Sequence, residues 1–137
     1  MQKFLKVMKA LSDPNRVKIL KLLQQRSLCV CELQAVLGIA QPTVSNHLKV
    51  LEESGFVCFQ KNGLWAEYSL ADGNSSPYSA CMLGNLRHWL KDDPQIAPFV
   101  ERLPGIDRGT MCRSSPVKAH GQKKAAAPRR SACKASS

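Results

Sequence analysis

The stretch "IAQPTVSNHLKVLEESGFV", residues 39–57, limits the fold of this chain more than any other. Pro42 suits the first turn of a helix, where its missing N–H costs nothing, and Gly55 suits the position just past the end. Between them Val44, Leu48 and Leu51 recur at helical spacing and form a buried stripe. Thr43, Asn46 and Lys49 then point away from the core, with Ser45 and His47 on the flanks. Just upstream, Ser27 is placed to cap a helix over about Leu28–Leu37, with Val30, Leu33 and Leu37 inward and Gly38 ending it. Two helices joined by a turn of about four residues containing Gly have the spacing of a helix-turn-helix.

The flanks complete the unit. Phe4, Leu5, Met8 and Leu11 share one face of a first helix, and Ser12-Asp13-Pro14 ends it and opens a second. Val17, Leu20 and Leu23, with Ile19 beside them, carry that second helix to about Gln25. After the helix-turn-helix, "FVCFQ" and "LWAEYSL" are β-prone runs bracketing Lys61-Asn62-Gly63, and Asn-Gly is a strong hairpin signal. A late helix over about Pro77–Asp92 sets Met82, Leu83, Leu86, Trp89 and Leu90 on one side. Pro94 interrupts, and "QIAPFVERL" adds a last helical turn or two. The fold class expected is mostly α with a β-hairpin wing, a winged helix-turn-helix. The first and late helices are more apolar than so small a core needs, so their surplus faces are expected to pair two copies as a homodimer.

At 137 residues the chain has room for one domain, expected over 1–103. Its net charge of +10 is uneven: residues 112–137 hold seven Lys/Arg and no acid. That end is rich in Ser, Ala and Pro and poor in large apolar residues, so 104–137 is expected to be a disordered basic tail. Such a tail either adds non-specific attraction to phosphate or serves only solubility. No apolar run approaches the ~18 residues of a membrane span, and lysines interrupt the N-terminal stretch where a signal peptide needs an apolar core. A cytoplasmic protein is therefore expected. In that compartment the six cysteines (29, 31, 58, 81, 112 and 133) are read as free thiols, metal ligands or redox centres rather than disulfides.

Small polar residues at the start of the second helix of such a motif are placed to touch base edges. Gln41, Thr43, Ser45, Asn46 and His47 can donate or accept, Lys49 suits a phosphate, and Lys61 at the hairpin tip can reach the DNA backbone or minor groove. A merely solvated helix face would supply the same residues; the order of helices and hairpin favours DNA reading. Glu52 and Glu53 would repel phosphate, which leaves the N-terminal half of the helix for the groove.

Cys29 and Cys31 in "SLCVCEL" pose a mechanical question. Within a helix, residues two apart sit about 200° apart around the axis, so two such sulfurs cannot share one small ion. If both lie in the first turn, a shared ligand must unwind it. Helix N-termini favour the thiolate, although Glu32 opposes this, and soft thiolates suit a soft, thiophilic centre.

Taken together, "LCVCEL", "QPTVSNHLKVLEESGFV" and "NGLWAEYSL" resemble the arsenic-sensing branch of the ArsR/SmtB family of metal-responsive repressors, over roughly residues 1–90. The resemblance implies a homodimeric winged helix-turn-helix repressor of an arsenic-resistance operon. Trivalent arsenic or antimony, As(III) or Sb(III), would act as inducer by binding cysteine thiolates and releasing operator DNA; no permanent cofactor is implied. Cys29 and Cys31 match the family's Cys-Val-Cys core, and residues 41–47 match its recognition-helix start. The third cysteine often found three positions later is Gln34 here. Cys112 or a small cellular thiol is then the candidate third ligand. Residues 1–28 lack the N-terminal cysteines of the cadmium- and lead-sensing branch, and a lone His88 falls short of the zinc-sensing pattern. Competing readings are a thiol-redox repressor oxidised at Cys29 and Cys31, and a thiol-disulfide oxidoreductase using the same pair. No strand-helix alternation of a thioredoxin-like fold supports the enzyme.

Overall fold

In the computed structural model, which describes residues 1–62, 65–72 and 76–106, each predicted helix and both predicted strands occur. In order they are α1 (Gln2–Ala10), α2 (Pro14–Leu23), β1 (Leu28–Cys29), α3 (Val30–Leu37), α4 (Gln41–Glu53), β2 (Val57–Asn62), β3 (Trp65–Leu70), α5 (Pro77–Leu86) and α6 (Ala97–Arg102). A 3-10 turn, Leu103–Gly105, follows α6. Punctuation acts as expected. The Asp13 side chain caps α2 through the N–H groups of Asn15 and Arg16. Gly38 closes α3 at φ 71°, and Gly55 turns the chain out of α4 at φ 84°.

The strands form one antiparallel sheet in the order β1-β3-β2, with Leu28 opposite Tyr68, Cys29 opposite Glu67 and Phe59 opposite Tyr68. Strand β1 was not expected. Because Leu28 and Cys29 find ladder partners on β3, α3 starts at Val30 rather than Leu28, and Cys29, not Ser27, is its N-cap.

The core gathers Ile19, Leu20 and Leu22 of α2, Leu33 and Val36 of α3, Val44, Leu48 and Leu51 of α4, and Phe56 beside the wing, all fully buried. Burying each such side chain contributes ~1.5–3 kcal/mol before ordering costs. Two predicted faces are rotated. In α1 the core takes Val7 and Ala10, with Met8 and Leu11 packed at its edge, while Phe4 and Leu5 stay exposed. In α3 the inward set is Leu33, Val36 and Leu37, and Val30 is half-buried. Val17 of α2 is likewise half-buried, displaced by Ile19 and Leu22.

The late helix stops at Leu86 instead of Asp92. Buried Lys21 explains the stop: its Nζ donates to the carbonyl oxygens of Leu86 (2.6 Å) and Trp89 (2.9 Å). Leu90 then takes a left-handed backbone at φ 61°. Burial lowers the Lys21 ammonium from its ordinary value, and the charge of Lys91 adds to the effect. Beyond Leu86 the chain leaves Trp89 51% and Leu90 41% exposed.

The packed body reaches past residue 103. Arg102 Nη1 donates to Val36 O at the end of α3 (2.8 Å), Leu103 is buried, and Ile106 packs at the core's edge. The rest of the predicted tail, 107–137, and Gly63 of the hairpin signal lie outside the described residues. Among the described residues no helix is long and apolar enough to cross a membrane.

Candidate functional site

Two groups of predicted residues lie on adjoining elements. Helix α4 presents Gln41, Thr43, Ser45, Asn46 and Lys49 to solvent, and Lys61 is exposed near the end of β2. His47, expected on the flank and within reach of base edges, is instead turned into the protein. It is only 8% exposed, with Nδ1 3.3 Å from Arg16 Nη1 and Nε2 4.0 Å from Asp13 Oδ1. The reason is angular: at about 100° per residue, position 47 lies within about 60° of Val44 and 40° of Leu51, inside the buried stripe. That spacing was a usable signal. What it could not supply was the partner, Arg16, which comes from another helix.

The cysteine pair sits at the junction of strand and helix. Cys29 is buried at the end of β1 with extended backbone (φ −94°, ψ 169°), and Cys31 is half-buried at the second position of α3. The two therefore do not share a continuous helical turn, which corrects the premise that a common ligand must unwind one. What such a ligand must disturb is the cap of α3. Glu32, fully buried, accepts the Cys29 N–H on Oε1 (2.9 Å) and pairs through Oε2 with Arg26 Nη1 (2.9 Å). Arg26 in turn reaches Ile106 O at 3.4 Å. From sequence alone Glu32 stands only as a charge opposing the thiolate. Its place three residues after the cap, where a capping box puts its acid, was the overlooked cue.

Cys29, Cys31 and Cys81 carry thiols, and Cys81 is exposed on α5. Cys58, buried on β2, is disulfide-bonded, contrary to the expectation for it. Gln34, where a third sulfur would stand, is a half-buried residue of α3, and Cys112 lies outside the described residues. Among the described residues no cluster of three or more His, Cys, Asp or Glu side chains could hold a metal ion. A soft centre bound here would take two thiolates and a third donor from elsewhere.

Residues 13–58 match the model of a family described as bacterial regulatory protein, arsR family. The arsenic resistance transcriptional regulator ArsR1 of Pseudomonas putida is 38% identical over 101 residues, which cover 70% of this chain and 79% of that protein. The chain belongs to the ArsR family. The arsenical resistance operon repressor of Escherichia coli is 40% identical over 68 residues, 49% of this chain and 58% of that protein. The span matched in such relatives runs from about half (49%) to about four-fifths (81%) of their length. Among solved structures, the transcriptional repressor BigR from Xylella fastidiosa superposes with a TM-score of 0.55 at 30% identity, over 64% of this chain and 83% of that one. This ArsR-family chain is thus a DNA-binding transcriptional regulator with a winged helix-turn-helix, not an enzyme.

Proposed function

We propose that this ArsR-family protein is a homodimeric repressor of an arsenic-resistance operon, released from operator DNA when trivalent arsenic or antimony binds the thiolates of Cys29 and Cys31. One observation carries the reading: Cys29 is where the wing sheet passes into α3, and α3 packs directly on α4. A ligand that draws Cys31 toward Cys29 acts on the Glu32 cap and the β1–β3 ladder together. Close packing passes the shift to both DNA-facing parts. A coupling of ~3 kcal/mol weakens operator binding over a hundredfold.

In this reading Gln41, Thr43, Ser45 and Asn46 read base edges while Lys49 and Lys61 hold phosphates. Exposed Leu5, Trp89 and Leu90 supply the apolar surface on which two copies pair, with recognition helices about 34 Å apart on a two-fold operator. The third donor is Cys112 or a cellular thiol; unchanged arsenite affinity in Cys112→Ser removes Cys112.

The deciding experiment is a gel-shift titration on the protein's own upstream DNA with arsenite, antimonite, cadmium, zinc and peroxide. Arsenite and antimonite should release the DNA, and Cys29→Ser or Cys31→Ser should abolish release without weakening binding. Release by peroxide alone replaces metalloid sensing with thiol oxidation. Indifference to every addition rejects both.

A further inference from the structure

The guanidinium of Arg16 is used three ways. Its Nε donates to Ala10 O at 2.8 Å and its Nη2 to Lys9 O at 3.3 Å, both carbonyls at the C-terminal end of α1. Its Nη1 lies 3.3 Å from His47 Nδ1, in the middle of α4. Guanidinium nitrogens can only donate, so Nδ1 of His47 must be the acceptor, which leaves the ring proton on Nε2, facing Asp13. Asp13 is itself fixed, because the same Oδ1 takes the N–H groups of Asn15 (2.8 Å) and Arg16 (3.4 Å).

We propose that Arg16 and His47 are positioning residues: the planar fork of Arg16 locks the recognition helix to the end of α1, so the pose of the DNA-reading face is set by this polar clasp and not by core packing alone. Apolar packing of Val44, Leu48 and Leu51 resists separation of α4 from the core, yet it is non-directional and tolerates rolling about the helix axis. Two hydrogen bonds to one helix end and a third to a ring on α4 are directional. They tie the reading face to α1, an element on which the two copies are proposed to pair. The proposal rests on the reading of α4 as the DNA-contacting helix. It takes His47 out of the contact set and gives it a role there through Arg16.

The test is operator affinity against salt for the full chain and its variants. His47→Leu and Arg16→Gln should each weaken binding by about tenfold or more while leaving the slope of log affinity on log salt unchanged, since neither loses a phosphate contact. The double variant should be little worse than either single, as expected for groups acting as one unit. His47→Asn keeps an acceptor close to the position of Nδ1 and should bind within about threefold of the parent. Binding by His47→Leu within twofold of the parent overturns the clasp, as does a slope reduced by about one. Should His47→Leu fail to fold, nitrogen NMR of the parent protein decides: an unprotonated Nδ1 that responds to Arg16→Lys supports the clasp, and a protonated Nδ1 overturns it. Asn46→Ala and Ser45→Ala separate the two readings. If they leave affinity intact, α4 is not the contact helix; if they weaken it and His47→Leu does not, only the clasp fails.

Discussion

Replacing Glu32 by Ala should destabilise the protein by about 3 kcal/mol, although no alternation of polar and apolar residues marks the position. The carboxylate is fully buried, and its two oxygens have different partners. The bond from the Cys29 N–H, charged acceptor to buried donor, contributes about 1.5–3 kcal/mol. The pair with Arg26 contributes less, about 0.5–1 kcal/mol, because the arginine side chain is 40% exposed and water competes for it. A negative charge in the first turn of α3 adds a few tenths more. Glu32→Gln keeps the volume and an acceptor for the Cys29 N–H while losing the ion pair and the charge–dipole contribution, so it should cost only about 1–1.5 kcal/mol. For a body of this size, 3 kcal/mol is a fall in Tm of roughly 12–24 °C. Urea denaturation checks both numbers, provided the m-value is unchanged. An Ala variant within about 0.5 kcal/mol of the parent would refute the reasoning. So would a Gln variant as damaged as the Ala one, since the cap bond would then not be the main contribution.

Two further outcomes follow from backbone and burial. Gly38→Ala should cost about 1 kcal/mol in thermal unfolding: a side chain there meets nothing within 4 Å, so the cost is the left-handed backbone alone, and a loss above about 3 kcal/mol would show a clash instead. Burial, with the charge of Glu52 adding to it, raises the Tyr68 phenol from 10.0 to about 12. The unfolded chain therefore releases this proton first. The stability held by the neutral buried phenol is complete below pH 10 and is lost as pH rises through about 12, on the order of 2–3 kcal/mol. A Tyr78→Phe variant leaves Tyr68 as the one tyrosine, and its ultraviolet tyrosinate absorbance should titrate near 12; a midpoint near 10 contradicts the burial.

What residues 1–106 state locally, the fold obeys. Helix periods, the Asp13-Pro14 start, the glycine stops at 38 and 55 and the β-prone runs around Asn62 act over a few residues, so a linear reading locates the helix-turn-helix and its wing. The same reading turned Thr43, Asn46 and Lys49 away from the core, where they are exposed, because the face a residue takes within one helix follows from angle. It went astray where a distant residue supplied the deciding partner. Strand β3 drew Leu28 and Cys29 out of the helix, Lys21 ended α5 by taking the Leu86 carbonyl, and Arg16, from another helix, supplied the partner of the His47 ring. Hydrogen-bond partners tens of residues apart leave no period in the sequence. Which group satisfies a buried N–H or carbonyl is therefore settled only once the chain has packed.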